Sequence, residues 1–346
     1  MTTDKLKAIF YSDKMLYVKN LCLHSIEPVC LKNLHLPPNL SKIILRGPIN
    51  CNFPFTVKKL VFGWYGAGLI FPAFLEKLDI KTYCNKLVSI LPPTLKILFV
   101  IHCCSACKHY CRGKPIVLPQ QITNFKFSSR TFPSTLIAAM EKLHLDRLTI
   151  VDLYQDFTNI RTKELHVRNI YTVPQHLKLP SDLKILTVGS SKFWRRPYCF
   201  DEFIYKINGT NTIINSLRVL KIDIFYENSY LDLSASKIEI LTTTTKCQIK
   251  YPSTLKKLFI KYLPTNLKMQ TLFPINFGSK LETLGVGSCF NSLHKLRKRF
   301  VKFLSKSRGR STIKNFDVED LASDFEPIPG IKISVITNLD LYVKQF

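Results

Sequence analysis

The chain has 346 residues, 46% of them hydrophobic and 21% charged, with a formal net charge of +26. That apolar content supports a packed core and excludes disorder as the dominant state, while the length calls for two domains or a repeat array rather than one simple core. The positive balance, mostly lysine, attracts nucleic acid, acidic proteins or anionic membranes without choosing among them.

Residues 1–35 read as an N-terminal cap. The opening stretch Met1 to Phe10 carries Asp4, Lys5 and Lys7 and does not have the form of a signal peptide. The most apolar window, Gly63 to Leu75, is broken by Gly66, Gly68 and Pro72 and falls short of the roughly 20 residues of a membrane helix. The expectation is a soluble, cytoplasmic protein without a transmembrane segment. Eleven scattered cysteines, an odd number, fit reduced thiols.

From residue 36 one phrase recurs: proline, two variable positions, an aliphatic residue, then x-x-L-x-φ, where φ is apolar. It runs through Pro37, Leu40, Ile43 and Leu45, and then Pro54, Val57, Leu60 and Phe62. Pro72, Leu75, Leu78 and Ile80 repeat it, as do Pro92, Leu95, Leu98 and Val100. Later copies begin at Pro119, Pro180 and Pro252, and proline-free versions appear at Leu217 and Leu281. From Leu40 to Ile122 the first aliphatic residues of neighbouring copies lie 17 (Leu40 to Val57) to 27 (Leu95 to Ile122) residues apart, within reach of leucine-rich repeats, and later gaps are longer, marking degenerate copies or insertions. The L-x-φ pair alternates with period two, so both residues face one side of a short strand. Proline fixes its own φ and disfavours helix before it, marking a turn ahead of each strand. One such unit cannot bury its apolar face alone; stacking makes the core continuous.

A β-sandwich also uses short, regularly spaced strands, but it does not require one proline-to-leucine phrase in a single register seven times. The expected architecture is therefore a β-rich repeat solenoid over 36–290. It takes the form of a leucine-rich-repeat-like horseshoe with a short-stranded parallel sheet, an irregular convex side and a C-terminal helical cap. The phrases Leu91-Pro92-Pro93-Thr94-Leu95-Lys96-Ile97-Leu98 and Tyr251-Pro252-Ser253-Thr254-Leu255-Lys256-Lys257-Leu258 resemble the LP-x-x-LK-x-L core of the FNIP and related leucine-rich repeats. Those repeats occur in amoebal proteins and in large DNA viruses that infect eukaryotic cells. The phenylalanine–asparagine–isoleucine–proline signature itself is absent. The resemblance implies a curved scaffold that binds other proteins, joined in some relatives to an F-box, of which residues 1–35 show no pattern.

The repeat is interrupted near 101–117 and 189–215. The first insertion carries Cys104-x-x-Cys107, a thiolate pair at a zinc spacing that His109 or Cys111 would complete, against a reading as a loop of free thiols. The second carries Trp194, Arg195 and Arg196. The segment Ala138 to Val173 keeps strand-like phrases, Leu143-His144-Leu145 and Leu165-His166-Val167, without clean register.

Beyond residue 290 the period changes. Leu293, Leu296, Phe300, Phe303 and Leu304 read as an amphipathic helix whose other face holds Lys298, Arg299 and Lys302 among further cations. It predicts a cap over the end of the solenoid within a C-terminal region 291–346, and Ile331 to Val343 returns to strand-like alternation. The cations also suit phosphate backbones or an anionic surface.

The position between strand leucine and φ should line the accessible face of the sheet. It holds Ile44, Val61, Asp79, Phe99, Lys126, Thr187, Lys221 and Phe259, a mixed strip suited to protein contacts. No glycine-rich phosphate loop, G-x-S-x-G or H-E-x-x-H is present, and His144 and His166 should point outward from their strands. The expected function is a non-catalytic protein-interaction scaffold with no cofactor beyond the zinc set; the alternative is a basic nucleic-acid-associated protein.

Overall fold

The computed structural model describes residues 13–23, 29–30, 36–50, 53–65, 70–83, 91–103, 116–128, 134–151, 157–168, 179–189, 216–222, 230–243, 248–261, 280–286, 314–319 and 332–336. It is a parallel β-solenoid with few helices. The chain forms two compact units, Met1–Val151 with Phe157–Thr162, and Asp152–Asp156 with Lys163–Phe346.

After a 3-10 turn at Asp13–Tyr17, the first unit holds β1 (Asn20–Leu23), β2 (Val29–Cys30), β3 (Lys42–Asn50), β4 (Lys59–Tyr65), β5 (Lys77–Tyr83), β6 (Ile97–Cys103) and β7 (Asn124–Phe127). A helix, α1 (Ser134–Met140), precedes β8 (His144–Ile150). The strands pair in parallel in chain order, β1 to β3 and onward to β8, with β2 beside the far end of β3. Register is uniform over the core positions of the rungs, though β3 shifts against β4 between Leu45 and Pro48: Ile43 pairs with Leu60, Leu60 with Leu78, Leu78 with Leu98, and Leu98 with Phe125. The sheet thus begins ahead of the first proline phrase, because Leu21 and Leu23 of β1 meet Ile43 and Leu45.

Uniform register stacks like on like. The strand leucines and the φ residues Leu45, Phe62, Ile80, Val100, Phe127 and Ile150 are buried in two parallel rows. The first aliphatic residues Leu40, Val57, Leu75, Leu95 and Ile122 form a third, fully buried row. Truncating one such residue, Leu78→Ala, should cost about 2–5 kcal/mol, since neighbouring rungs cannot collapse into the gap independently.

Each proline phrase closes a turn. The backbone N–H of the first aliphatic residue donates to the proline carbonyl three residues earlier, as in Leu75 to Pro72, Leu95 to Pro92 and Leu255 to Pro252, each at 3.2 Å. Just ahead of each strand one carbonyl accepts two N–H groups of the next rung: Lys58 O receives Glu76 N and Lys77 N, both at 2.9 Å. Ahead of β8 the proline is missing and the strand begins earlier. In β8, Leu143, Leu145, Leu148 and Ile150 are all buried, and it is Leu148, not Leu143 or Leu145, that meets Phe125 in register. The Leu165-His166-Val167 phrase, by contrast, lies in register with the next strand.

The second unit contains β9 (Arg161–Val167, from Lys163 on), β10 (Ile185–Val188), β11 (Val219–Ile222), β12 (Tyr230–Asp232), β13 (Ile240–Thr243), β14 (Gln248–Lys250), β15 (Lys257–Ile260), β16 (Thr283–Val286), β17 (Asn315–Glu319) and β18 (Lys332–Ile336). All but β12 and β14 pair in parallel in chain order, and those two form a separate parallel pair. β17 extends the sheet at a segment with no recognisable repeat phrase, and β18 agrees with the alternation read after Ile331. The helix expected over Leu293 to Leu304 lies outside the described residues.

Candidate functional site

The strands of the first unit turn two rows of side chains away from the core. One row, directly before the strand leucine, is Lys42, Lys59, Lys77, Ile97, Asn124 and Arg147. The other, directly after it, is Ile44, Val61, Asp79, Phe99, Lys126 and Thr149. None of these residues is buried. They follow from period-two alternation: if leucine and φ point inward, the residues between and before them point outward.

Phe99 is the centre of this face. Lys77 Nζ, from the strand on one side, stands 4.7 Å from its ring centroid, and Lys126 Nζ, from the strand on the other, stands 5.1 Å away. Both distances suit attraction between an ammonium and the ring quadrupole. The half-buried ring is thereby held in place with part of its surface still open, as an aromatic anchor at an interface requires.

Lys42, Lys59 and Lys77 occupy adjacent rungs, so their stems run side by side about 4.8 Å apart. The pKa of Lys59 is lowered from 10.5, first by partial burial, then by the charges of Lys77 and Lys42, with Asp79 pulling the other way. The row one residue earlier behaves differently. There Lys58 faces Glu76 at 3.6 Å, and in the second unit Glu239 takes Lys256 at 2.8 Å and Arg218 at 3.6 Å. Charge is matched along that row and piled up along the Lys42–Lys59–Lys77 row. The lysine row was open to reading from the sequence, because lysine stands directly before the strand aliphatic in three successive copies. Lys58, Lys96, Lys184 and Lys256, each directly after the first aliphatic residue of its copy, lie on the row of Glu76 and Glu239.

Of the residues singled out from sequence, the structure brings Phe99 and Lys126 together. Lys221 is partly exposed on β11. Phe259, expected on the accessible strip, is fully buried. Its neighbour on β16 is Gly285, and a Cβ placed there would lie 2.3 Å from Phe259 Cδ1, so the ring packs into the space the glycine leaves. Thr242, across from it on β13, is 1% exposed. The strip is therefore closed at that place, and Phe259 is a packing residue. His144 is exposed and its Nε2 lies 3.1 Å from Arg161 Nη1. His166 Nε2 is 3.5 Å from a Glu164 carboxylate oxygen.

Cys104, Cys107, His109 and Cys111 lie outside the described residues, as do Trp194, Arg195, Arg196, Lys298, Arg299 and Lys302. Among the described residues no cluster of histidine, cysteine and carboxylate side chains is arranged to hold a metal ion, and no helix is long and apolar enough to cross a membrane. Compared with known proteins, the chain matches no family model, no curated protein and no solved structure.

Proposed function

We propose that this parallel β-solenoid is a non-catalytic protein-interaction scaffold, and that the outward face of β3 to β7 is its recognition surface. The observation that carries this reading is Phe99, half-buried between Lys77 and Lys126, with Ile97 two residues before it on the same strand and Asp79 beside it on β5. Interfaces concentrate their energy in such held aromatic and cationic side chains, ringed by near-neutral contacts that exclude water. The leucine-rich-repeat-like horseshoe form, the kinship with FNIP-type repeats and a cytoplasmic setting belong to the same reading. Its support there is the repeated proline-to-leucine phrase.

The test is affinity capture with the full chain after nuclease treatment and in high salt, comparing wild type with Phe99→Asp. Protein partners retained by wild type and lost by the variant support a scaffold working through this face. Recovery that disappears with nuclease supports the basic nucleic-acid-associated alternative, which the net charge of +26 favours.

A further inference from the structure

We propose that the Lys42–Lys59–Lys77 row, with the Ile44–Val61–Phe99 side chains beside it, docks an acidic amphipathic helix of a partner protein. The inference rests on the scaffold reading and gives its partner a chemistry. Three observations support it.

The first is charge. Three lysines on adjacent rungs present one sign; partial burial first, and then the charges of Lys77 and Lys42, hold Lys59 below its ordinary pKa against the opposing pull of Asp79. A carboxylate stripe laid along the row would relieve that repulsion; a neutral or basic partner would not. The charge-matched row of Lys58 and Glu76 beside it makes no such demand.

The second is pitch. Rungs recur about every 4.8 Å, so Lys42 to Lys77 spans roughly 9.6 Å. Two turns of an α-helix rise about 10.8 Å, and acidic residues at i, i+4 and i+7 lie on one stripe of it. Flexible lysine stems absorb a mismatch of that size. An extended strand laid across the rungs repeats on one side every 6.6 Å or so and drifts out of phase roughly three times as far over the same three lysines.

The third is the adjoining row. Two residues along each strand from the lysines stand Ile44, Val61 and Asp79, with Phe99 on the next rung. The rows are about 6.7 Å apart, and a helix roughly 10 Å across covers both, setting an apolar stripe on Val61 and Phe99. Asp79 within the strip and the apolar side chains around it suit a polypeptide better than a phosphate backbone, which favours a uniformly basic track.

The test is a fluorescence-anisotropy titration of the full chain with a labelled helical peptide carrying glutamate at i, i+4 and i+7 and leucine on the adjoining stripe. A charge-reversed peptide and a single-stranded oligonucleotide of equal negative charge serve as comparators. Binding of the acidic peptide should weaken by about tenfold in the triple variant Lys42→Gln, Lys59→Gln, Lys77→Gln and by several-fold in Phe99→Ala. Removing like charges relieves repulsion while Lys77→Gln gives up one cation–π contact with Phe99, so the triple variant should melt close to wild type, and circular dichroism checks this. Equal affinity of wild type and triple variant overturns the inference. So does tighter binding of the oligonucleotide through the same three lysines. A chain that loses its captured proteins on Phe99→Asp yet binds the acidic peptide independently of the lysine row also overturns it, and leaves the scaffold reading standing.

Discussion

The hydroxyl of Thr94 reaches the carbonyl oxygen of Ala73, on the preceding rung, at 2.8 Å, with the Leu75 carbonyl at 3.0 Å as a second acceptor. The same clasp recurs: Thr56 reaches Pro38 and Leu40, and Thr254 reaches Ile238. In each copy the threonine is the residue just before the first aliphatic. A position that looks variable in the repeat phrase thus ties one turn to the one before. Thr94→Val should destabilise by about 1 kcal/mol, read as a lower urea midpoint at unchanged m.

The copy beginning at Pro72 carries Phe74 at the clasp position, and that side chain is 59% exposed. Phe74→Thr should supply the missing clasp to the Phe55 and Val57 carbonyls. We expect stabilisation of about 0.5–1 kcal/mol, measured by the same denaturation.

Gly285 and Phe259 are coupled. Gly285→Ala drives a methyl against a ring that is fully buried, and should cost about 2–3 kcal/mol. In a Phe259→Ala background, itself costly, the added cost should nearly vanish. A double-mutant cycle reads the coupling directly, and simple additivity would show that the ring does not occupy the glycine's space.

Thr243 is fully buried between Ile222 and Ile260 in the second unit's core row, and among the described residues its hydroxyl oxygen meets no hydrogen-bond partner. Thr243→Val keeps the branched shape and removes the unsatisfied group. Stability should rise by about 1–2 kcal/mol in thermal or urea unfolding.

Two groups set opposite pH trends. Lys59 binds its proton less tightly in the folded chain than in the unfolded one. Its charge therefore costs stability below the folded pKa, and that cost is relieved as pH rises through it toward 10.5. Lys59→Gln should stabilise by about 0.5 kcal/mol near neutral pH and by less near pH 10. Asp232 is held below 3.8: burial raises its pKa, but the Ser234 hydroxyl, the Ser234 N–H and Lys250 outweigh it. Its contribution is present above the unfolded pKa and lost as pH falls through the folded one. Asp232→Asn should lower stability by less than about 1 kcal/mol near neutral pH and flatten the acid limb of the profile.

The parallel solenoid was legible because the phrase Pro92, Leu95, Leu98, Val100 repeats in one register and period-two alternation fixes which side is buried. Phe99 and Lys126 were legible for the same reason. At β8, where proline is lost, the phrase misleads: Leu143 and Leu145 look like a strand pair, but Leu148 and Ile150 take the rung position, whereas the proline-free copies at Leu217 and Leu281 keep the register. Phe259 was misplaced because alternation knows nothing of lateral neighbours. Only the pairing with Gly285 shows where its ring goes. The threonine clasp escaped notice because it occurs in three copies among seven and depends on carbonyls that sequence does not display.

The doubled acceptance at Lys58 O, and at its counterparts on other rungs, joins each turn only to its immediate predecessor. A rung can therefore be duplicated or excised as a module, with its own turn, joint and core residues, while the rest keep their partners. Selection acting on such copying events can lengthen or shorten the outward lysine row one charge at a time. The length of that row would then evolve in steps of a single rung, separately from the aromatic residue beside it.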